Sequence, residues 1–163
     1  MVGWDGNRLA MVLAVLEARC GLGFGGNEVY LNIAGGLRIA EPAADLACAL
    51  ALISALTDRP VPEDVAIFGE IGLSGEIRRV TQSESRLREA AKLGFRRALA
   101  PQSIKGGRKA PKIEGLEVLE VGHLQDMIDW LYNESRSNSV PKRPEGPQGA
   151  GPQGAGQRGA VQN

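Results

Sequence analysis

The feature that most constrains the fold is an apolar stretch at residues 43–56, where alanine, leucine and isoleucine fill nearly every position. Pro42 stands immediately before it, and proline suits the first turn of a helix because it has no backbone N–H to leave unpaired. A helix that is apolar almost all round must be covered from more than one direction. The stretch therefore predicts a central helix with other elements packed around it.

The rest of the chain alternates between helical and extended patterns. Three more helices are predicted, at residues 5–20, 81–93 and 124–132. Strands are predicted at residues 29–33, 37–39, 65–68, 76–80, 97–100 and 116–121. Asp5 can cap the first helix, Thr81 and Glu84 have the spacing of a capping box, and Gly94 suits the end of its helix. This order predicts an α/β fold with helices packed on a mixed β-sheet.

Composition sets the limits of the domain. Hydrophobic residues make up 43% of the chain but aromatic residues only 4%, so the core must consist of aliphatic side chains. From residue 135 onward Pro, Gly, Gln and Ser dominate, and the sequence of residues 147–151 repeats directly at 152–156. Such a segment buries too little apolar surface to offset the entropy of ordering it. We expect a folded domain at residues 1–134 and a disordered tail at residues 135–163.

Several classes of protein do not fit the sequence. No apolar stretch reaches the roughly 18–20 residues that cross a bilayer, and the N-terminus lacks the pattern of a signal peptide. We therefore expect a cytoplasmic protein without a membrane partner. Cys20 and Cys48 lie in apolar runs without nearby ligands, which indicates small core residues in a reducing compartment rather than a zinc site.

Motifs of common catalytic sites are missing. No glycine-rich stretch is followed by the Lys-Ser or Lys-Thr of a phosphate-binding loop, and residues 21–26 lie between a helix and a strand in the wrong order for a dinucleotide site. No serine lies in a Gly-x-Ser-x-Gly elbow. His123, the one histidine, precedes the last helix, where a surface or capping role is expected.

The strongest positive signal is a basic segment. Residues 76–112 carry 11 basic and 3 acidic side chains, whereas residues 1–75 carry 4 and 9, and residues 113–134 carry none and 6. Lysine and arginine neutralise phosphates and give affinity that does not depend on sequence. The candidate DNA contacts are Arg78, Arg79, Arg86, Arg88, Lys92, Lys105, Arg108 and Lys109. The alternative is a solvated face with internal ion pairs, such as Glu84 with Arg88.

Six stretches carry a family resemblance. They are Gly3-Trp-Asp-Gly-Asn-Arg-Leu9, Val29-Tyr-Leu-Asn-Ile-Ala-Gly-Gly36, Glu41-Pro-Ala-Ala-Asp-Leu-Ala47, Asp58-Arg-Pro60, Phe68-Gly-Glu-Ile-Gly-Leu-Ser-Gly-Glu-Ile-Arg78 and Arg86-Leu-Arg-Glu-Ala-Ala-Lys-Leu-Gly-Phe95. In this order they resemble the C-terminal domain of the RadA (Sms) family of bacterial DNA repair proteins, which is homologous to the proteolytic domain of Lon. The resemblance covers about residues 2–132 and implies a Lon-like fold.

The same resemblance implies that the domain is not a protease. Lon places its serine in a Gly-Pro-Ser-Ala-Gly motif, and the matching position here is Ala43. Its partner lysine lies in a Gly-Gly-Leu-Lys-Glu-Lys stretch, and matching the flanking glycines places Glu84 at the lysine. A carboxylate does not replace the amine that activates a serine. An active peptidase would need a displaced pair, such as Ser83 or Ser74 with Lys92.

The resemblance also implies a role and partners. RadA-family proteins form hexameric ATPase rings that act on recombination intermediates and promote branch migration, so DNA, further copies of the chain and a recombinase are the implied partners. The zinc, ATP and Mg²⁺ of the family belong to its other domains, and no cofactor is expected in this chain. A module that binds only protein, with its basic face on an acidic partner, is the alternative.

Overall fold

The computed structural model describes residues 3–102 and 112–138. The helices are α1 (Gly6–Cys20), α2 (Asp45–Thr57), α3 (Ser83–Lys92) and α4 (Leu124–Asn138). The strands are β1 (Val65–Ile67), β2 (Glu70–Ile71), β3 (Ile77–Arg78), β4 (Arg97–Pro101) and β5 (Glu117–Val121). Short 3₁₀ turns at Ala34–Gly36 and Pro42–Ala44 precede α2.

The strands form two groups of different geometry. β1, β4 and β5 make a parallel sheet in the order β1-β4-β5, with Arg97 of β4 between Val65 and Glu117. β2 and β3 form a separate antiparallel hairpin. Parallel neighbours need a crossover connection, and α3 lies in the one between β1 and β4. This arrangement confirms the α/β class.

Helix α2 lies at the centre, as predicted from its composition. Leu46, Leu50 and Ile53 are completely buried, and the helix packs against α1, α4 and β2. Burial is nevertheless incomplete on one side, because Ala55 and Leu56 remain exposed at its C-terminal end. The predicted central helix is therefore confirmed, with an apolar surface left open at one end.

Helix α1 ends at the predicted residue, Cys20, and begins at Gly6, directly after the predicted cap Asp5. The Asp5 carboxylate accepts a hydrogen bond from the backbone N–H of Arg8 at 2.9 Å, which satisfies one of the free N–H groups of the first turn. Gly21 follows with a left-handed φ of 66°, a conformation that favours glycine.

The predicted strand at residues 29–33 is wrong. Val29, Leu31 and Ile33 do pack partly buried against the core, while Tyr30 is exposed, so the alternation of side chains is real. Asn32 lies in an isolated β-bridge, but the segment forms no strand of the described fold. Alternation predicts which side chains face the core, whereas a strand also requires hydrogen bonds to a neighbouring strand.

The predicted capping box of α3 is also wrong. The helix begins at Ser83, after Gln82 in a left-handed conformation with a φ of 57°, and no side chain caps it. The Ser83 hydroxyl donates instead to the carbonyl of Val80 at 2.8 Å. The end of the helix is as predicted, since Gly94 has a φ of 91° and donates to the carbonyl of Ala91.

Helix α4 is longer than its apolar pattern predicts. It continues to Asn138 rather than ending at residue 132, so its last turn includes the first residues of the expected tail. Arg97 of β4 binds Glu134 at 2.8 Å, and this ion pair attaches the C-terminal half of the helix to the sheet. Residues 139–163, the rest of the expected tail, lie outside the described residues.

Candidate functional site

The position that the resemblance assigns to a serine is Ala43, in the 3₁₀ turn before α2. Ala43 is buried, and its carbonyl accepts a hydrogen bond from the backbone N–H of Gly69 at 2.8 Å. The N–H of Leu46 donates in turn to the carbonyl of Gly69 at 3.0 Å. A side chain at residue 69 would place its Cβ within 3.2 Å of three side-chain atoms and would displace them slightly, so glycine fits this close approach without such a shift. The backbone of the serine position is thus held in place, but no hydroxyl is present.

A buried ion pair lies two residues after Ala43. Arg8 of α1 donates from Nε to Asp45 Oδ1 at 2.5 Å and from Nη2 to Oδ2 at 2.7 Å. The backbone N–H of Ile71 also donates to Oδ2, at 3.1 Å. Asp45 is completely buried, and its hydrogen bond raises the pKa of Arg8. This pair joins α1, the start of α2 and the β2–β3 hairpin.

A second arginine binds Glu41, which lies two residues before Ala43 in the sequence. Arg86 of α3 donates from Nη2 to the Glu41 carboxylate and from Nε to the carbonyl of Thr81 at 3.1 Å. Its side chain is only 28% exposed. A guanidinium stays protonated and cannot accept the proton of a hydroxyl. Arg8 and Arg86 therefore connect α1 and α3 to the residues around Ala43, and neither can act as a general base.

Glu84, which the resemblance matches to the Lon lysine, binds Arg88 within α3 rather than a group near Ala43. Its carboxylate is 57% exposed and accepts from Arg88 one turn later, at 2.5 Å. Arg86, two residues later in α3, binds Glu41. Arg86, not Glu84, is therefore the α3 residue that binds beside the serine position.

Five of the eight basic candidates lie in the described part of the chain, at the hairpin and in α3, and four of these five form ion pairs. Arg78 binds Glu76 at 2.5 Å, Arg88 binds Glu84, and Lys92 binds Glu89 at 3.5 Å. In the described part of the chain Arg79 is exposed and makes no ion pair. Exposed pairs of this kind contribute only about 0–1 kcal/mol, so they leave the cations available to a stronger anion. Lys105, Arg108 and Lys109 lie outside the described residues.

The serines of the displaced pair are engaged elsewhere. The Ser74 hydroxyl donates to Glu76 Oε2 at 2.5 Å, and that of Ser83 donates to Val80. Ser83 and Lys92 are the first and last residues of α3. At 1.5 Å per residue they are separated by about 13 Å along the helix. A Ser83–Lys92 pair is therefore not formed.

His123 caps α4 from a position against the hairpin. Its Nδ1 accepts from the backbone N–H of Gln125 at 3.3 Å, and its Nε2 lies 3.1 Å from the carbonyl oxygen of Ser74. The ring thus accepts through Nδ1 and donates through Nε2. It packs over Gly75, where a Cβ would come within 2.8 Å of the imidazole. This geometry matches the capping role expected from its place in the sequence.

The thiols and acidic groups form no metal site in the part of the chain that is described. No group of three or more His, Cys, Asp or Glu side chains is arranged to hold a metal ion there. Cys20 and Cys48 are free and half-buried. Burial, with a smaller effect of the Asp45 charge, raises the pKa of Cys48 to about 12. Within the described residues no helix is long and apolar enough to span a membrane.

Comparison with known proteins gives one family and a set of named relatives. The family model described as subunit ChlI of Mg-chelatase matches residues 8–104, more than half of the chain. DNA repair protein RadA of Brucella abortus (strain 2308) is 50% identical over 128 residues, which are 78% of this chain and 27% of the relative. The proteins of the same name from Rickettsia felis and Escherichia coli (strain K12) are 51% and 46% identical over 133 and 127 residues, or 80% and 78% of this chain.

These relatives are much longer than the present sequence. The chain spans 27–28% of their length, so the match concerns one region of each relative. Residues 8–104, which the family model matches, include Ala43, Arg8 and Arg86. The chain belongs to the family described as subunit ChlI of Mg-chelatase, and it is homologous to one region of the DNA repair proteins named RadA.

Proposed function

We propose that this chain acts in DNA repair as a non-proteolytic, Lon-like domain that assembles with further copies of itself and holds DNA without reading its sequence. This activity would support branch migration of recombination intermediates. The assignment to DNA repair is supported by the relatives that are named DNA repair protein RadA. The observation that carries the non-proteolytic part is the serine position, where Ala43 is buried between two arginine–carboxylate pairs.

Hydrolysis of a peptide bond needs a nucleophile and a base beside it. Ala43 has no hydroxyl, and Arg8 and Arg86 are bound to carboxylates and remain protonated. A chain with this arrangement can retain the Lon-like packing and use the same elements as a scaffold. Unfolded casein incubated with the chain is expected to remain intact. Turnover abolished by Ser74→Ala or Ser83→Ala would instead support a displaced catalytic pair.

The DNA contact rests on the basic segment. Arg79, Arg88 and Lys92 are exposed, and the ion pairs of the latter two are of the weak, solvent-screened kind. A phosphate backbone offers several charges at once and can replace single carboxylates. The one aromatic residue of the basic segment, Phe95, packs against the core, so the contact would read the backbone and not the bases.

The test is to measure DNA binding by this chain. Fluorescence anisotropy reports the binding of labelled single- and double-stranded oligonucleotides. Salt is varied from about 50 to 200 mM, because each neutralised phosphate steepens the salt dependence by about 0.7–0.9. The triple variant Arg78→Gln, Arg79→Gln, Arg88→Gln, which leaves residues 92–96 unchanged, should bind at least about tenfold more weakly at low salt and lower the slope by about 2.

A matched control is Arg38→Gln, an exposed arginine outside the basic segment. It should leave both affinity and slope close to those of the parent chain. No binding of either oligonucleotide at low salt would overturn the DNA contact for this chain. Binding that is insensitive to the triple variant would exclude this surface.

Assembly is supported by the unequal distribution of charge. The chain has a basic segment at residues 76–112 and an excess of acidic side chains at residues 1–75 and 113–134. The cations of one copy can therefore face the carboxylates of the next copy. Reversing charge in the acidic segments should weaken assembly, and unchanged assembly would contradict this part of the proposal.

A module that binds only protein is the second candidate. The observation that favours it is that Arg78, Arg86, Arg88 and Lys92 already bind carboxylates within the chain, which is how they would bind an acidic partner. Weak DNA binding with little dependence on salt, together with normal self-association, would support this candidate over the DNA contact.

A further inference from the structure

An apolar groove lies where the C-terminal end of α2 meets the segment that follows α1. It encloses about 400 Å³. Its apolar lining residues, which we call the α2 groove, are Phe24, Val29, Tyr30, Leu52, Ala55 and Leu56. Tyr30 is 81% exposed and Leu56 is 38% exposed, so the groove is open to solvent. This is the end of α2 that the described fold leaves uncovered.

The electrostatic surroundings of the groove favour a positive partner. Glu28 lies on its rim and accepts a hydrogen bond from the Tyr30 hydroxyl at 2.7 Å. The last turn of α2 contains no basic residue, and Asp58 occupies the C-cap. The partial negative charge at the end of the helix is therefore not neutralised by its own side chains. None of the lining residues carries a positive charge.

A feature with the opposite properties follows α3. Leu93 is 69% exposed at the end of that helix, directly before the turn at Gly94. Lys92, with a 74% exposed side chain, precedes it, and the exposed Arg96 follows. We call these three residues the Leu93 knob. It presents a large apolar side chain between two cations.

We infer that the Leu93 knob of one copy of this chain inserts into the α2 groove of a second copy. Leu93 would contact the apolar lining, while Lys92 and Arg96 would lie near Glu28 and the C-terminal end of α2. The aliphatic stem of Lys92 can cover further apolar surface while its ammonium group stays at the rim. The inference rests on the assembly part of the proposed function and specifies the surfaces that meet.

The two surfaces are different patches of the same chain, which determines the symmetry of the contact. Each copy has one knob and one groove, so the contact is head-to-tail rather than two-fold. Such contacts close into rings or continue as filaments. A copy with a defective knob and an intact groove can still accept one neighbour, and this property provides a sharp test.

The experiment is sedimentation of the full chain at increasing concentration, with three single variants. Leu93→Gln removes the apolar tip without changing the charge, and Leu56→Lys places a cation in the groove. Each should weaken self-association at least about tenfold, as expected for a central contact of an interface. Both residues are exposed, and thermal unfolding should confirm that each variant is folded.

The matched control is Leu73→Gln. Leu73 is 70% exposed, almost the same as Leu93, but lies in the β2–β3 hairpin outside both surfaces. It should associate like the parent chain. An equimolar mixture of the Leu93→Gln and Leu56→Lys chains should form one-to-one dimers, because one intact groove and one intact knob remain.

The outcomes separate the inference from the proposal beneath it. If neither variant weakens self-association, or if the two variants do not complement each other, the contact between knob and groove is wrong. The proposal that the chain self-assembles would not be affected by that result. A parent chain that stays monomeric at all concentrations would overturn both. Binding of a basic apolar peptide to the intact groove of the parent chain, without binding of a second copy, would assign the groove to a different protein and overturn the inference.

Discussion

Arg8 and Asp45 are joined by two hydrogen bonds across the contact between α1 and α2, at 2.5 and 2.7 Å. The carboxylate is completely buried, whereas a quarter of the arginine side chain remains exposed. A charge without water is stable only when an opposite charge and hydrogen bonds replace its solvation. Arg8 and the backbone N–H of Ile71 provide both for Asp45. The pair therefore fixes the start of α2 relative to α1 and the hairpin.

Replacing one member of this pair should destabilise the fold. Asp45→Asn leaves Arg8 without its partner charge, and we expect the free energy of unfolding to fall by about 3 kcal/mol, measured by urea denaturation. The matched double variant Arg8→Met, Asp45→Leu removes both charges and should recover much of that loss. A loss below about 1 kcal/mol for Asp45→Asn, the size of an exposed ion pair, would contradict this role.

Glu76 should stay ionised to unusually low pH. Its Oε2 accepts from the hydroxyl of Ser74 at 2.5 Å, and Oε1 accepts from Arg78. These contacts, the Ser74 hydroxyl foremost, lower the pKa of Glu76 from 4.5 to about 2. Because the folded-state pKa is depressed, the stabilisation is present above pH 4.5 and is lost as the pH falls toward 2.

The corresponding measurement is an NMR titration of the Glu76 carboxyl. In Ser74→Ala the strongest hydrogen bond is missing, and the pKa of Glu76 should rise toward 4.5. Leu73→Ala, at the neighbouring exposed position, should leave it low. An unchanged titration in Ser74→Ala would show that the hydroxyl does not hold the charge.

The Cys48 thiol should be unreactive although it is only partly buried. Its pKa of about 12 keeps it protonated at neutral pH, and thiolate is the reactive form. Iodoacetamide should therefore label Cys48 in Cys20→Ser far more slowly in the folded chain than in urea, with a rate that rises toward pH 12. The raised pKa stabilises the fold up to pH 9, and that contribution is lost as the pH rises toward 12. Labelling at equal rates with and without urea would contradict the raised pKa.

The parts of the fold that sequence predicts well are those that depend on neighbouring residues. Helix α1 carries its own cap at Asp5, and α2 is recognisable from its apolar composition. The strand at residues 29–33 failed because pairing depends on a partner that local alternation does not reveal. The cap of α3 failed because Gln82, in a left-handed conformation, took the place that spacing gave to Thr81.

The candidate site shows the same limit more strongly. Position 43 could be located by resemblance, but the residues that surround it could not. Arg8 and Asp45 are 37 positions apart, and Arg86 and Glu41 are 45 apart. A signal was present at Asp45, since an acidic residue inside an apolar helix is almost never buried without a partner. Which arginine would pair with it became apparent only from the packing of α1 on α2.

His123 should contribute to stability through both ring nitrogens. Nδ1 accepts from the N–H of Gln125 and Nε2 lies against the carbonyl of Ser74, so His123→Ala removes one hydrogen bond that caps α4 and one that joins the start of α4 to the hairpin. At about 1 kcal/mol for each, we expect the free energy of unfolding to fall by about 2 kcal/mol.

His123→Asn separates the two contacts. Asparagine is a good helix cap and can still accept from Gln125, but its side chain is too short to reach Ser74 as well. His123→Asn should therefore recover about half of the lost free energy of unfolding. Hydrogen exchange at the Gln125 amide should remain slow in His123→Asn and become fast in His123→Ala. If the alanine variant unfolds at the same urea concentration as the parent chain, the ring does not hold the hairpin to α4, and the packing of Gly75 under the imidazole must have another cause.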